Sequence, residues 1–291
     1  MLSTKAKIRI ARTLSTAIVG ARTALGRGPE VTARRGGIAW RLDLREGIDL
    51  AIYLRLYQRI PQRLTRDWLK PDSVVLDIGA NIGSHGLPLA QQLGPGGRVI
   101  CIEPTDYAFA KLKANAALNP NLADRLILLQ AALTDKSAAT IAPGQTGIPS
   151  FYSRWPLRGE TDGRHVRHLG QLETAKGARL LPLDRLFEEL SASGRIHERL
   201  TFVKLDVDGH ELEVLRGAEA TFARYKPAVN LEIAPHVQDE VPGRFENLLQ
   251  TLQAFGYRLE SGSGRSLPVS APSLRKLVRD GGSMDVLALP V

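Results

Sequence analysis

A chain of 291 residues, 43% of them hydrophobic, can bury a substantial core as one large domain or two small ones, and no apolar run approaches the roughly 20 residues of a membrane span. Its single cysteine, Cys101, excludes an intrachain disulfide and fits a reducing, cytoplasmic setting. The formal charge of +9 is concentrated before residue 42, where nine basic side chains face one acid, Glu30, which argues against a nucleic-acid-binding face on the rest of the chain.

Residues 1–45 read as a basic N-terminal arm. Within it, Ile10, Leu14, Ala17, Ile18, Ala21 and Leu25 recur at helical spacing on one side, with Lys5, Arg9 and Arg12 elsewhere on the wheel. Such a helix packs on the domain, lies peripherally on an anionic membrane, or serves as a disordered or targeting arm. Residues 46–291 read as the main domain. A helix is predicted over Asp49–Leu69, kinked or split by Pro61. Strands and helices then alternate, as in a mainly parallel sheet. Val74–Ile78 is strand one. Ser84 is placed to cap a helix running to Leu93. Arg98–Ile102 is strand two, with Cys101 as a buried thiol. Asp106–Leu118 is a helix and Leu126–Ala131 is strand three.

The alternation breaks over residues 139–177, a lid or insertion rich in Gly, Pro and Arg, whose Tyr152, Trp155, His165 and His168 are suited to a sugar. Arg179–Leu190 then gives a short strand and a helix. Leu200–Leu205 is strand four, Glu211–Tyr225 a helix, Ala228–Ile233 strand five and Arg244–Phe255 a helix. Tyr257–Glu260 and Met284–Leu289 form a closing strand pair, with a surface loop over Ser261–Pro272.

The stretch VVLDIGANIGSH, Val74–His85, is a strand, a glycine turn and a helix start, the layout of a nucleotide-type pocket. A dinucleotide site would show G-x-G-x-x-G. Here Gly79 and Gly83 lack the central glycine, and Asp77 would repel a pyrophosphate. S-adenosylmethionine has no phosphate and carries an ammonium and a sulfonium, so an aspartate suits it. Glu103, 26 positions on at the tip of strand two, is placed to accept hydrogen bonds from ribose hydroxyls.

LDIGANIG, then IEP, then FVKLDVDGHELEVLRGA at Phe202–Ala218 resemble the FkbM family of S-adenosylmethionine-dependent methyltransferases, and LLPLDRLFEE resembles its segment before strand four. The resemblance spans roughly residues 70–290. It implies a Rossmann-like class I α/β fold with a seven-stranded, mostly parallel sheet and an antiparallel closing strand. It also implies S-adenosyl-L-methionine as cofactor and methyl transfer to a hydroxyl of a sugar, glycolipid or polyketide. Asp77, Gly79, Asn81, Gly83 and Glu103 would then line the cofactor pocket, with Ala132 after strand three. The chain departs from the family at Ser84-His85-Gly86, where aromatics and a threonine are usual, and at Asp208, where the family has glutamate.

A hydroxyl is a poor nucleophile, so a general base is useful. Asp206 ends strand four, and His210 begins the next helix with Asp206 or Asp208 placed to orient it. His85, Glu232 and His236 are further candidates. A metal site from Asp206, Asp208, His210 and Glu232 lacks a diagnostic spacing, and none is expected. Three other readings compete: a non-catalytic, membrane-associated binding protein with a degenerate fold, a nucleic-acid methyltransferase and a dehydrogenase. The nucleic-acid enzyme is disfavoured because KLDVDG stands where an Asn-Pro-Pro-aromatic motif would hold an amine.

Overall fold

The computed structural model describes residues 4–57, 60–135, 150–157, 170–197, 199–278 and 281–291. The described part of the basic segment forms a helix and a hairpin. Helix α1 (Thr4–Ala24) leads to an antiparallel hairpin of β1 (Glu30–Arg35) and β2 (Ile38–Asp43). This hairpin, read in sequence as part of an arm, buries Ile38, Trp40 and Leu42 by strict alternation. Two buried asparagines complete its hydrogen bonding. The Arg41 amide donates to Asn115 Oδ1 at 2.8 Å, and Asn119 takes the Ala39 amide at 2.9 Å and gives to its carbonyl at 2.8 Å. Helix α1 packs on the domain through Ala11, Ser15, Ile18 and Val19, and Ser15 donates to the Leu44 carbonyl at 2.8 Å. The predicted apolar side is therefore divided, because Ile10 and Leu14 face outward.

The single helix predicted over Asp49–Leu69 is two, α2 (Gly47–Tyr53) and α3 (Gln62–Trp68), with Pro61 just before the second. The next elements are β3 (Val74–Ile78), α4 (Gly86–Gln92), β4 (Arg98–Ile102), α5 (Asp106–Ala117), β5 (Leu126–Leu129) and β6 (Ala131–Leu133). Ser84 does not cap α4. His85 holds the capping position without a side-chain bond, and the Ser84 hydroxyl donates to Tyr57 Oη at 2.9 Å.

Within the predicted insertion, β7 (Ser150–Arg154) and β8 (Gln171–Thr174) form an antiparallel ribbon. His165 and His168 lie outside the described residues. Strand β9 (Arg179–Leu181) pairs with β6, and α6 (Leu183–Ala192) leads to β10 (Leu200–Leu205). The helix predicted over Glu211–Tyr225 is α7 (Glu211–Arg216) and α8 (Glu219–Tyr225), broken at Gly217 where a side chain would strike the Thr134 carbonyl. Strand β11 (Ala228–Ile233), α9 (Pro235–Gln238), α10 (Arg244–Ala254) and β12 (Tyr257–Ser261) follow. The predicted loop after β12 contains β13 (Ser266–Leu267) and the start of α11 (Ala271–Leu277), because Leu267 and Leu274 are drawn into the core. Strand β14 (Met284–Pro290) closes the order.

The sheet runs β13-β12-β14-β11-β10-β3-β4-β5. Strands β11, β10, β3, β4 and β5 are parallel. Strand β14 is antiparallel and pairs with β12, as predicted, and it lies between β11 and β12. The strand beyond the predicted seven is the two-residue edge β13. One apolar layer packs α6, α7, α8, α10 and α11 on the sheet, and the other packs the hairpin, α3, α4 and α5. Sheet register places Cys101, Asp77, Lys204 and Asn230 side by side on four adjacent strands. Cys101 is fully buried, and that burial raises its thiol pKa well above the ordinary value.

Candidate active site

At the carboxyl edge of β3, β4 and β10, the strand-end loops and the β7–β8 ribbon enclose a cavity of about 130 Å³. Gly79, Asn81, Glu103 and Ala132, all expected at a cofactor pocket, are among the residues that line it. Gly79 has φ +80°, and a side chain there would collide with the Asp206 carbonyl, so this glycine lets β3 and β10 converge. The Asn81 amide donates to Glu103 Oε2 at 3.0 Å, and its side chain donates to the Ser153 carbonyl at 2.9 Å. Glu103 Oε1 accepts from the Thr105 amide at 3.0 Å and hydroxyl at 2.6 Å. Burial raises the Glu103 carboxyl pKa, against the pull of these hydrogen bonds. Glu103 thus ties the loops after β3 and β4 together while facing the cavity.

Asp77 and Gly83 are not in the cavity wall. Gly83 has φ +89° and sits over Leu87 and Leu112, so it serves packing. Asp77 is fully buried, with the Gly86 backbone amide beside its carboxylate and no side chain hydrogen-bonded to it among the described residues. Its pKa is pushed up to about 6, first by burial and then by Asp206, with Lys204 opposing. The direct grip on a ligand's ammonium expected of Asp77 is not what the geometry provides: Asp77 shares its sheet face with Lys204, but its short carboxylate ends beside Gly86 while the longer lysine reaches the cavity.

The opposite wall carries Lys204, Asp206, Asp208 and His210. Lys204 Nζ donates to Asp206 Oδ2 at 2.6 Å, and the two side chains are 4% and 34% exposed. Burial raises the Asp206 carboxyl pKa, but Lys204 outweighs it and holds the group below its ordinary value. Asp208 and Glu232 shift the other way, well up, through burial and then the negative charge of Asp206. An oxygen from each of these three carboxylates lies within 4.8 Å of the others, and His210 does not join them. The cluster therefore has one carboxylate held ionised and two that favour their protons.

His210 is not oriented by a carboxylate. Its Nδ1 lies 3.3 Å from the Val207 carbonyl, which can only accept, so Nδ1 is the donor. Phe151 of the ribbon packs edge-on against the ring, with centroids 5.6 Å apart. Glu211, buried behind it, braces the loop by accepting from the Val207 and Gly209 amides at 3.2 Å. His85 faces Tyr57 Oη across 3.2 Å, and its pKa is pushed down to about 3 by burial and by Lys204, so it is neutral. Glu232 and His236 lie outside the wall.

Phe151, Tyr152, Leu172 and Trp155 bring the ribbon side of the predicted insertion onto the cavity. Arg154 pairs with Glu46 at 2.6 Å and Glu173 at 3.2 Å, latching the ribbon to the start of α2. Two wall residues, Lys204 and Tyr57, were not singled out from sequence. The signal for Lys204 was present: a lone cation inside the buried run Leu200–Leu205.

A parallel α/β sheet with one antiparallel strand inserted beside its last parallel members, and a cavity at the carboxyl ends of its central strands, is a class I methyltransferase fold. The model of the methyltransferase FkbM domain matches residues 77–259, more than half of the sequence, and the chain belongs to that family. It is 29% identical over 216 residues to the AMB antimetabolite synthetase AmbE of Pseudomonas aeruginosa, covering 66% of this chain and 10% of that protein. It is 29% identical to the 2-O-methyltransferase NoeI of Sinorhizobium fredii, over 53% of this chain and 61% of that one. It is 27% identical to the hexuronic acid methyltransferase AglP of Haloferax volcanii, over 53% and 54% respectively. The chain thus spans less than two thirds of each relative it matches.

Proposed function

We propose that this methyltransferase uses S-adenosylmethionine and methylates a hydroxyl of a glycan or small-molecule acceptor. The observation that carries the reading is the wall chemistry: a loop-fixed Glu103 at one end and the Lys204–Asp206 pair at the other. The residues fit the cofactor. Glu103 retains lone pairs for ribose hydroxyls, Ile102, Pro104 and Ala132 offer an apolar bed for an adenine, and the acidic wall suits a cation. Asp77 acts at one remove, through the field it shares with Lys204 and Asp206.

When bound, S-adenosylmethionine supplies an electrophilic methyl on a sulfonium. The protein's tasks are to hold the acceptor oxygen in line and to take its proton. Asp206 is the proton acceptor, because Lys204 keeps it ionised and it is the part-exposed member of the pair. The name of NoeI, a 2-O-methyltransferase, supports an oxygen as the acceptor atom, and that of AglP, a hexuronic acid methyltransferase, supports a sugar-derived acceptor.

Calorimetric titration with S-adenosylhomocysteine tests the reading, with NADH as the control ligand. The expected result is micromolar binding of the first, no binding of the second, and a loss of at least about tenfold in Glu103→Ala, equivalent to about 1.4 kcal/mol. Folded protein that ignores S-adenosylhomocysteine overturns it.

A further inference from the structure

A second cavity of about 610 Å³ lies between the β1–β2 hairpin, α2, α3 and α4. It adjoins the acid-lined one. Tyr57 and Ser84 belong to the walls of both, and their hydroxyls are hydrogen-bonded at 2.9 Å, so one pair of side chains separates the two spaces. The spaces are opposite in charge. The smaller has Glu103, Asp206 and Asp208 against Lys204. The larger has Arg35 and Arg55 and, among the described residues, no carboxylate.

The two guanidinium groups differ in exposure and in partners. Arg35 is held, with Nε donating to the Tyr53 carbonyl at 2.6 Å and its plane 4.5 Å from the Tyr53 ring. Arg55 is exposed at the cavity mouth. Neither pairs with a carboxylate among the described residues. Trp40, buried behind the cavity, backs the wall with an aromatic ring, and Gln92 adds amide donors and acceptors. A fixed cation, an exposed cation, an aromatic backing and neutral polar groups are the components that recognise a sugar bearing negative charge.

We propose that the larger cavity is the acceptor site and that it takes an anionic sugar unit, presenting one hydroxyl at the Tyr57–Ser84 boundary. The proposal rests on the methyltransferase reading above and supplies the acceptor's class and position. The negative group can be a carboxylate or a phosphate.

Ligand-detected NMR titration, with and without S-adenosylhomocysteine, tests this with three probes: methyl β-D-glucuronide, glucose 6-phosphate and methyl β-D-glucoside. At least one anionic probe is expected to bind about fivefold or more tightly than the neutral glucoside, and which one does so separates carboxylate from phosphate. Arg55→Ala should erase that preference while leaving S-adenosylhomocysteine affinity unchanged. Gln92→Trp, at an exposed wall position, should block all sugar binding by filling the space. Equal binding of charged and neutral probes, no binding of either anion, or indifference to Arg55→Ala overturns the assignment. Loss of S-adenosylhomocysteine binding in the unaltered protein sinks the methyltransferase reading instead, and the probe titrations without it still judge the cavity.

Discussion

Lys204 is the residue on which the site's electrostatics turn. It neutralises Asp206 directly and faces Asp77 across the sheet. Lys204→Met leaves these carboxylates unopposed. Because Asp206 is one third exposed, solvent screens part of the damage, and the cost is about 2 kcal/mol rather than the larger loss of a fully buried pair. Denaturant unfolding should show that loss growing from pH 5 to pH 8, as the freed carboxylates ionise. Asp77 gives the opposite result. Its carboxyl favours the proton when folded, so its contribution is fully present below the unfolded value of 3.8 and is lost as pH rises through about 6. A rise of that size corresponds to about 3 kcal/mol. Asp77→Asn is therefore expected to be more stable than the parent at pH 8 by up to about that amount, with the advantage vanishing near pH 4. A parent and variant that unfold alike at pH 8 contradict it. Gly79, Asn81 and Glu103 were legible in sequence because a strand-end turn dictates their places. The burial of Asp77 was not, since Lys204 beside it on the same face reaches the cavity and only the assembled layers show that the shorter aspartate does not.

Among the elements, the hairpin is the one composition concealed. Its alternation Ile38, Trp40, Leu42 is a strand signal, but it sits in a segment dominated by arginine. Its docking depends on side chains from α5 and the turn after it that no local pattern announces. Asn119→Ala strips partners from the amide and carbonyl of Ala39. The expected cost is about 1–3 kcal/mol for each buried group left bare, visible as a lower thermal midpoint. A midpoint within about 1 °C of the parent shows that the hairpin is held by apolar packing alone. Strands β3, β4, β10 and β11 were readable almost to the residue, because both faces of each are buried and their apolar runs are continuous. Helix breaks were less readable: Gly217 interrupts α7 and α8 through a contact with distant Thr134.

For the molecule as a whole, charge divides the fold. The basic surplus lies in α1 and the hairpin, and the hairpin forms part of the larger cavity's wall, whereas the strand-end cavity is acidic. No helix among the described residues is long and apolar enough to cross a membrane. The sheet depends on one late strand. Strands β11 and β12 do not pair with each other, and β14 bridges them. Leu287→Pro puts a residue without an amide into a strand paired on both sides, and circular dichroism should show loss of the cooperative unfolding transition. A variant that keeps it means the two halves cohere without β14. Ribosomal synthesis gives this arrangement a temporal meaning. When β11 has left the exit tunnel it offers a naked edge, and about 50 further residues must be made before its neighbour arrives. At roughly 5–20 residues per second that is an interval of seconds. During it the nascent protein is an open half-sheet, exposed to capture by another growing copy on the same message, so polysome crowding is the circumstance in which this fold is most vulnerable.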